Sequence, residues 1–83
     1  MYAVEITTYA KKQFKQIGSE AQAKLTAAIR KLANNPRPHG YIKMKGREAY
    51  RIKVGDYRII YEIHDQQLLV LVVEMGHRRD IYE

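Results

Sequence analysis

The chain has no cysteine, a single serine, and nine acidic residues against fifteen basic ones. Without cysteine there is no disulfide framework and no thiolate zinc site to support a small core, and the lack fits a reducing compartment. The one serine, Ser19, is better placed to cap a helix than to act as a nucleophile. The longest apolar run, Leu68 to Val73, falls far short of the ~18 residues that a membrane span needs, and no basic-then-apolar leader opens the chain. The expectation is a cytoplasmic protein with no membrane partner. His39, His64 and His77 show no ligand spacing and have no carboxylate cluster beside them, so neither a metal site nor a cofactor is expected. A chain of 83 residues makes one domain, expected over 1–83. Such a domain buries only about 60–65% of its unfolded surface and has little stability in reserve.

What is abundant is positive charge. The formal net charge is +6, and it is unevenly spread. Between Arg30 and Arg58 nine Lys or Arg residues stand against two acids, Glu48 and Asp56. That balance points to a phosphate-rich partner or an acidic protein.

The densest part of this region is also the best patterned. From Tyr50 to Tyr61, apolar and polar residues alternate on both sides of Gly55-Asp56, a dipeptide suited to a two-residue hairpin loop. With that turn, Val54 faces Tyr57, Lys53 faces Arg58, Ile52 faces Ile59, Arg51 faces Ile60 and Tyr50 faces Tyr61. One face then carries Tyr50, Ile52, Val54, Tyr57, Ile59 and Tyr61, which read as core. The other carries Arg51, Lys53 and Arg58 around Ile60. Like charges directly across a ladder are unfavourable. At ~5 Å their repulsion is about 1–3 kcal/mol for effective dielectrics of ~80 to ~20, before salt screens it. An anion bound on the cluster explains the arrangement better than stability does.

The remaining elements follow from periodicity. Tyr2 to Thr7 alternates as a strand. Thr7 or Thr8 can cap a helix with the stripe Ala10, Phe14 and Ile17, ended by Gly18. Ser19 and Gln22 form a capping-box pattern for a second helix with Ala21, Leu25, Ala28, Ile29 and Leu32 on one side, stopped before Pro36. The helices are expected to be separated by one or two residues. A short strand is possible around Tyr41 to Lys45, and an apolar strand runs from Leu68 to Val73. An even-length loop before that strand puts Leu69, Leu71 and Val73 on the face of Arg58. The fold class is α+β in the order β-α-α-β-β-β, an N-terminal helical hairpin packed on one face of a curved, mostly antiparallel sheet.

Beyond Val73 the segment Glu74-Met75-Gly76-His77-Arg78-Arg79-Asp80-Ile81-Tyr82 gathers polar and aromatic groups at the strand exit. If the last strand lies beside the hairpin, Arg78 and Tyr82 can converge on Arg51, Lys53 and Arg58. Arginine and lysine with a nearby tyrosine and histidine suit a phosphodiester and a stacked base. Glu62 is expected to balance charge on the basic face, and His64 to sit exposed in a turn.

The two runs Tyr50–Ile63 and Val73–Tyr82 together resemble the RelE toxins of the RelE/ParE superfamily, and the resemblance spans nearly the whole chain. It implies the toxin of a type II toxin–antitoxin system, a ribosome-dependent endoribonuclease that cuts mRNA in the A site of the small subunit. The implied chemistry is attack of a ribose 2′-OH on the adjacent phosphate, without a metal. By motif position Lys53 matches the lysine associated with base chemistry and Arg58 the arginine that binds the transition-state phosphate. Arg78 matches the arginine near the leaving 5′-oxygen, and Tyr82 the tyrosine that stacks on the base. Arg51 stands where some members have a second lysine, which keeps the charge but not a group that takes a proton. Substrate binding is expected from Arg51, His77, Arg79, Lys43, Lys45 and Arg47.

The resemblance also implies a RelB-like antitoxin that covers the groove, with operator DNA bound only through the toxin–antitoxin complex. In relatives a C-terminal helix can pack near the site. Here the sequence ends at Glu83, so that element is expected to be short or absent. A ParE-like toxin that inhibits DNA gyrase without cutting RNA is the alternative. The joint presence of Lys53, Arg58, Arg78 and Tyr82 favours the RelE reading.

Overall fold

A computed structural model describes residues 1–81. The elements are β1 (Ala3–Ile6), α1 (Thr8–Lys15), α2 (Ser19–Asn34), β2 (Ile42–Lys43), β3 (Tyr50–Val54), β4 (Tyr57–His64) and β5 (Leu69–His77). A 3-10 turn at Asp65–Gln67 joins the last two strands. The sheet order is β1-β5-β4-β3-β2, with β1 and β5 parallel and the other pairs antiparallel. This is the expected α+β architecture, with the short strand β2 added at one edge.

Each helix forms for a local reason. The Thr7 hydroxyl oxygen accepts the Ala10 N–H at 3.1 Å and caps α1. Ala10 is fully buried, and Phe14 and Ile17 pack against the same core. Gly18 does not end α1 as expected. Three residues, 16–18, separate the helices, and Gly18 is the N-cap of α2 with φ −62°. Ser19 is already helical, so the capping box does not form, and the Gln22 amide instead donates to the Phe14 carbonyl at 2.9 Å. That bond closes the helical hairpin. On α2, Leu25, Ile29 and Leu32 recur at helical spacing and are buried against Ile52, Ile59, Tyr61, Val70, Val72 and Met75 from the sheet.

The hairpin register is as the alternation predicts: Val54 pairs with Tyr57, Lys53 with Arg58, Ile52 with Ile59, Arg51 with Ile60 and Tyr50 with Tyr61. Gly55 at φ +59° supplies the positive dihedral that the first turn position requires. Tyr61 is fully buried on the helix side and donates to the Pro36 carbonyl at 2.7 Å. Burial pushes its hydroxyl pKa above the usual tyrosine range. A surface cluster fastens the other end of the molecule. Arg37 makes a bidentate pair with Asp65 at 3.2 and 2.8 Å, and the Tyr2 hydroxyl donates to the same carboxylate at 2.6 Å. The guanidinium first, and then the hydroxyl, lower the Asp65 pKa to about 2.

The last strand is longer than expected. It does not stop at Val73, because Glu74 to His77 go on pairing with Ile60 to Tyr57. Between Ile60 and Tyr61 the register shifts: Ile60 faces Glu74 and Tyr61 faces Val72, leaving Val73 as the extra residue of a β-bulge. One extra residue inverts the inside–outside parity of everything beyond it. Met75 therefore turns into the helix-side core, while Glu74 and Gly76 turn to the opposite face. The bulge thus lets one strand serve the core along its whole length and still furnish the other face.

Candidate functional site

The face away from the helices carries the basic cluster. Directly paired residues share a face, so the register lines up Ile42, Arg51, Ile60 and Glu74 in one row across the sheet. The next row holds Lys53, Arg58 and Gly76. Arg51 and Arg58 are only 6% and 8% exposed, which is rare for arginine on a sheet surface. Met44, Ala49, Ile60 and Ile81 form a second small core on this face, with Val73 at its edge.

The cations are held at fixed positions. One terminal nitrogen of Arg58 donates to the carbonyls of Gly55 at 3.2 Å and Tyr57 at 3.0 Å. The Arg78 backbone N–H donates to the Asp56 carbonyl at 2.7 Å, and its Nε lies 3.9 Å from the Asp56 carboxylate. Arg58 and Arg78 are therefore both moored to the same two-residue turn. Lys53 is exposed opposite Arg58, with no carboxylate directly across from it. Lys53 and Arg58 are thus register partners, and Arg78 is tied to the turn that joins their strands.

Other residues expected at the site are placed differently. His77 pairs with Tyr57 and shares its side of the sheet, with the rings 5.4 Å apart and edge-on. Its Nδ1 accepts the backbone and side-chain N–H of Arg79 at 3.2 and 3.4 Å, which folds Arg79 onto the imidazole and off the Arg58 face. Lys43 pairs with Tyr50, on the helix side, and its ammonium donates to the Arg47 carbonyl at 3.1 Å with Glu48 at 3.7 Å. Lys45 and Arg47 are exposed in the loop after β2, and Lys45 shares a shallow recess with Arg51. Tyr82 lies outside the described residues.

Two carboxylates need correction. Glu62 does not balance the arginines, because its carboxylate lies 2.9 Å from His64 Nε2. His64 is accordingly half-buried at the end of β4 and not free in a turn. Glu74 was not expected on the basic face, and the bulge puts it there, half-buried and in the row of Arg51. No pattern in the sequence signals that bulge. Among the described residues, no group of three His, Asp or Glu gathers as metal ligands.

Comparison with known proteins agrees with the fold. The family model described as the ParE toxin of type II toxin–antitoxin systems matches residues 4–82. A RelE-like toxin protein of Escherichia coli is 28% identical over 98% of this chain and 90% of its own length. The mRNA interferase toxin RelE of Escherichia coli K12 is 26% identical over 93% of this chain and 83% of its own. Among solved structures, the intact Escherichia coli RelBE toxin–antitoxin complex superimposes with a TM-score of 0.81 at 25% identity, covering 93% of this chain and 96% of that one. The archaeal RelE–RelB complex from Pyrococcus horikoshii gives 0.83 at 22% identity, covering 96% and 98%, and shares the fold.

Proposed function

Because this chain belongs to the RelE/ParE superfamily of type II toxin–antitoxin toxins, we propose that it is a ribosome-dependent endoribonuclease that cuts mRNA in the A site. The observation that carries the reading is the Lys53–Arg58 pair, two like charges placed directly across the hairpin beside a nearly buried Arg51. A scaffold that bound no phosphate would gain stability by removing one of them.

In this reading a ribose 2′-oxygen attacks the adjacent phosphorus as its proton passes to the fraction of Lys53 that carries a neutral amine. The P–O5′ bond breaks and the leaving oxygen takes a proton from water, giving a 2′,3′-cyclic phosphate and a free 5′-hydroxyl. Arg58, oriented by the turn carbonyls, holds the charge that builds on the phosphoryl oxygens, with Arg51 behind it. Arg78 lies by the leaving 5′-oxygen, and Tyr82 stacks on a base. Preorganised donors of this kind contribute about 10²–10³-fold, and acid–base help about 10²–10⁴-fold. Alignment of the 2′-OH with the phosphate supplies much of the rest, and the ribosome provides it by gripping the mRNA. No cofactor or metal is assigned a part. A cognate antitoxin with an acidic segment neutralises the groove, and the complex binds operator DNA through the antitoxin.

The test is cleavage of a defined mRNA by purified protein, with and without programmed ribosomes, mapped by primer extension beside an Arg78→Ala control. Cuts only with ribosomes, lost in the variant, are expected. Growth arrest without cuts, accompanied by inhibited DNA gyrase, would overturn the reading in favour of a ParE-like poison.

A further inference from the structure

The chain has five glycines, and one is unlike the rest. Gly40, Gly46 and Gly55 have positive φ, and at these three and at Gly18 an added Cβ would meet nothing within 4 Å. Gly76 is the opposite case. It is ordinary strand backbone, where glycine weakens a sheet, yet a Cβ there would stand 3.3 Å from Ile81 Cδ1 and 3.5 Å from Cγ1. The glycine is there for space, and the space holds one side chain.

That side chain anchors the segment that carries Arg78. After β5 the chain turns sharply, closed by the Asp80 N–H on the His77 carbonyl at 2.8 Å and by the Arg78 N–H on the Asp56 carbonyl at 2.7 Å. It then returns over the sheet, so that Ile81, 5% exposed, sits on Gly76 among Met44, Ala49 and Ile60. Gly76 is also the register partner of Arg58. Arg78 and Arg79 ride on the exposed outside of this turn, and no regular helix or strand supports residues 78–81.

We propose that Gly76 and Ile81 are a positioning pair: Ile81, seated in the gap over Gly76, clamps the C-terminal turn across the basic face and holds Arg78 at a fixed distance from Arg58. Neither residue touches substrate. A displacement of about 1 Å at a catalytic group can cost ~10²-fold in rate, so the pair acts on kcat through Arg78. The activity half of this inference rests on the nuclease reading; the structural half does not.

The experiment compares Gly76→Val, Ile81→Ala and the double variant as purified full-length chains. Gly76→Val adds three carbons where Ile81→Ala removes three, so the double variant restores the volume. Two quantities are read: the rate of trypsin nicking after Arg78 and Arg79, and kcat and KM for ribosome-dependent cleavage. Each single variant is expected to nick faster and to lose roughly tenfold or more in kcat with KM little changed. The double variant is expected to recover most of both. Single variants that nick and cut like the parent, or a double variant no better than Gly76→Val, overturn the proposal. If Gly76→Val does not fold, Ile81→Ala with an unchanged melting curve decides it by the same two readouts. A parent protein that cuts no mRNA defeats the nuclease reading alone, and the nicking rates still decide the clamp.

Discussion

Lys53 and Arg58 face each other across the β3–β4 ladder, next to a turn whose carbonyls hold the arginine in place. Neutralising the lysine removes a like-charge repulsion directly across the ladder. Lys53→Gln is therefore expected to raise stability by about 0.5 kcal/mol, or roughly 2–4 °C in Tm, at low salt, with a smaller gain at high salt. The same variant is expected to lose growth arrest. Thermal melts at two ionic strengths, beside an arrest assay, check both halves.

Arg78 is exposed, and its side chain meets Asp56 only at 3.9 Å. Arg78→Ala is thus expected to leave stability within about 0.5 kcal/mol of the parent. Cleavage should fall by about 10²–10³-fold. Urea denaturation and single-turnover cleavage on programmed ribosomes test this; a large loss of stability would mean that the arginine is structural.

Met75 and Val73 separate the two consequences of the bulge. Met75 is fully buried among the helix-side residues, so Met75→Ala is expected to cost about 2–5 kcal/mol. Val73 lies half-buried at the edge of the smaller core, and Val73→Ala is expected to cost nearer 1 kcal/mol. Deleting Val73 removes the bulge and leaves Val72 facing in, Glu74 out and Met75 in on a continuous ladder, so that variant is expected to fold, losing only the contacts of Val73 with the smaller core. Denaturant midpoints of the three variants give the order.

Two groups set the pH limits of the fold. Tyr61 is raised above its ordinary value, so its contribution is complete below the unfolded pKa of about 10 and is lost as pH climbs through that value toward the folded one. Titration at 295 nm should show one of the seven tyrosines ionising only as the protein unfolds. Tyr61→Phe leaves the Pro36 carbonyl buried without its donor and is expected to cost about 1–3 kcal/mol. Asp65 is lowered to about 2, so its contribution is present above its unfolded pKa and is lost as pH falls toward 2. Because the pair with Arg37 is exposed, Asp65→Asn is expected to have a small, salt-sensitive effect that is present above the unfolded pKa and vanishes as pH falls toward 2.

The hairpin was legible to the residue, because alternation and a Gly-Asp turn leave one register that puts three tyrosines and two isoleucines on one face. The helical stripes were legible for the same reason, namely strict periodicity. What escaped the sequence was parity and competition. A β-bulge is one residue without a signature, yet it decided that Glu74 and Gly76 join Arg58 and that Met75 does not. Gly18 and Ser19 carried acceptable signals for two caps, and the hydrogen bond of Gln22 to Phe14 settled between them. Charge counting placed Glu62 with the arginines, whereas a histidine two residues along the same strand takes it. Lys43 and His77 were expected to bind substrate, and strand register puts both on the side of Tyr50 and Tyr57, away from Arg58.

The parallel pairing of β1 with β5 has a consequence for how the protein folds. The strand nearest the N-terminus finds its partner in residues 69–72, so β1 has no neighbour in the sheet until β5 is in place. Contacts this distant in sequence form late and slowly. The strand that completes the core is also the one that delivers Gly76 and the turn bearing Arg78. One strand therefore closes the hydrophobic core and completes the basic face, so neither is whole without the other.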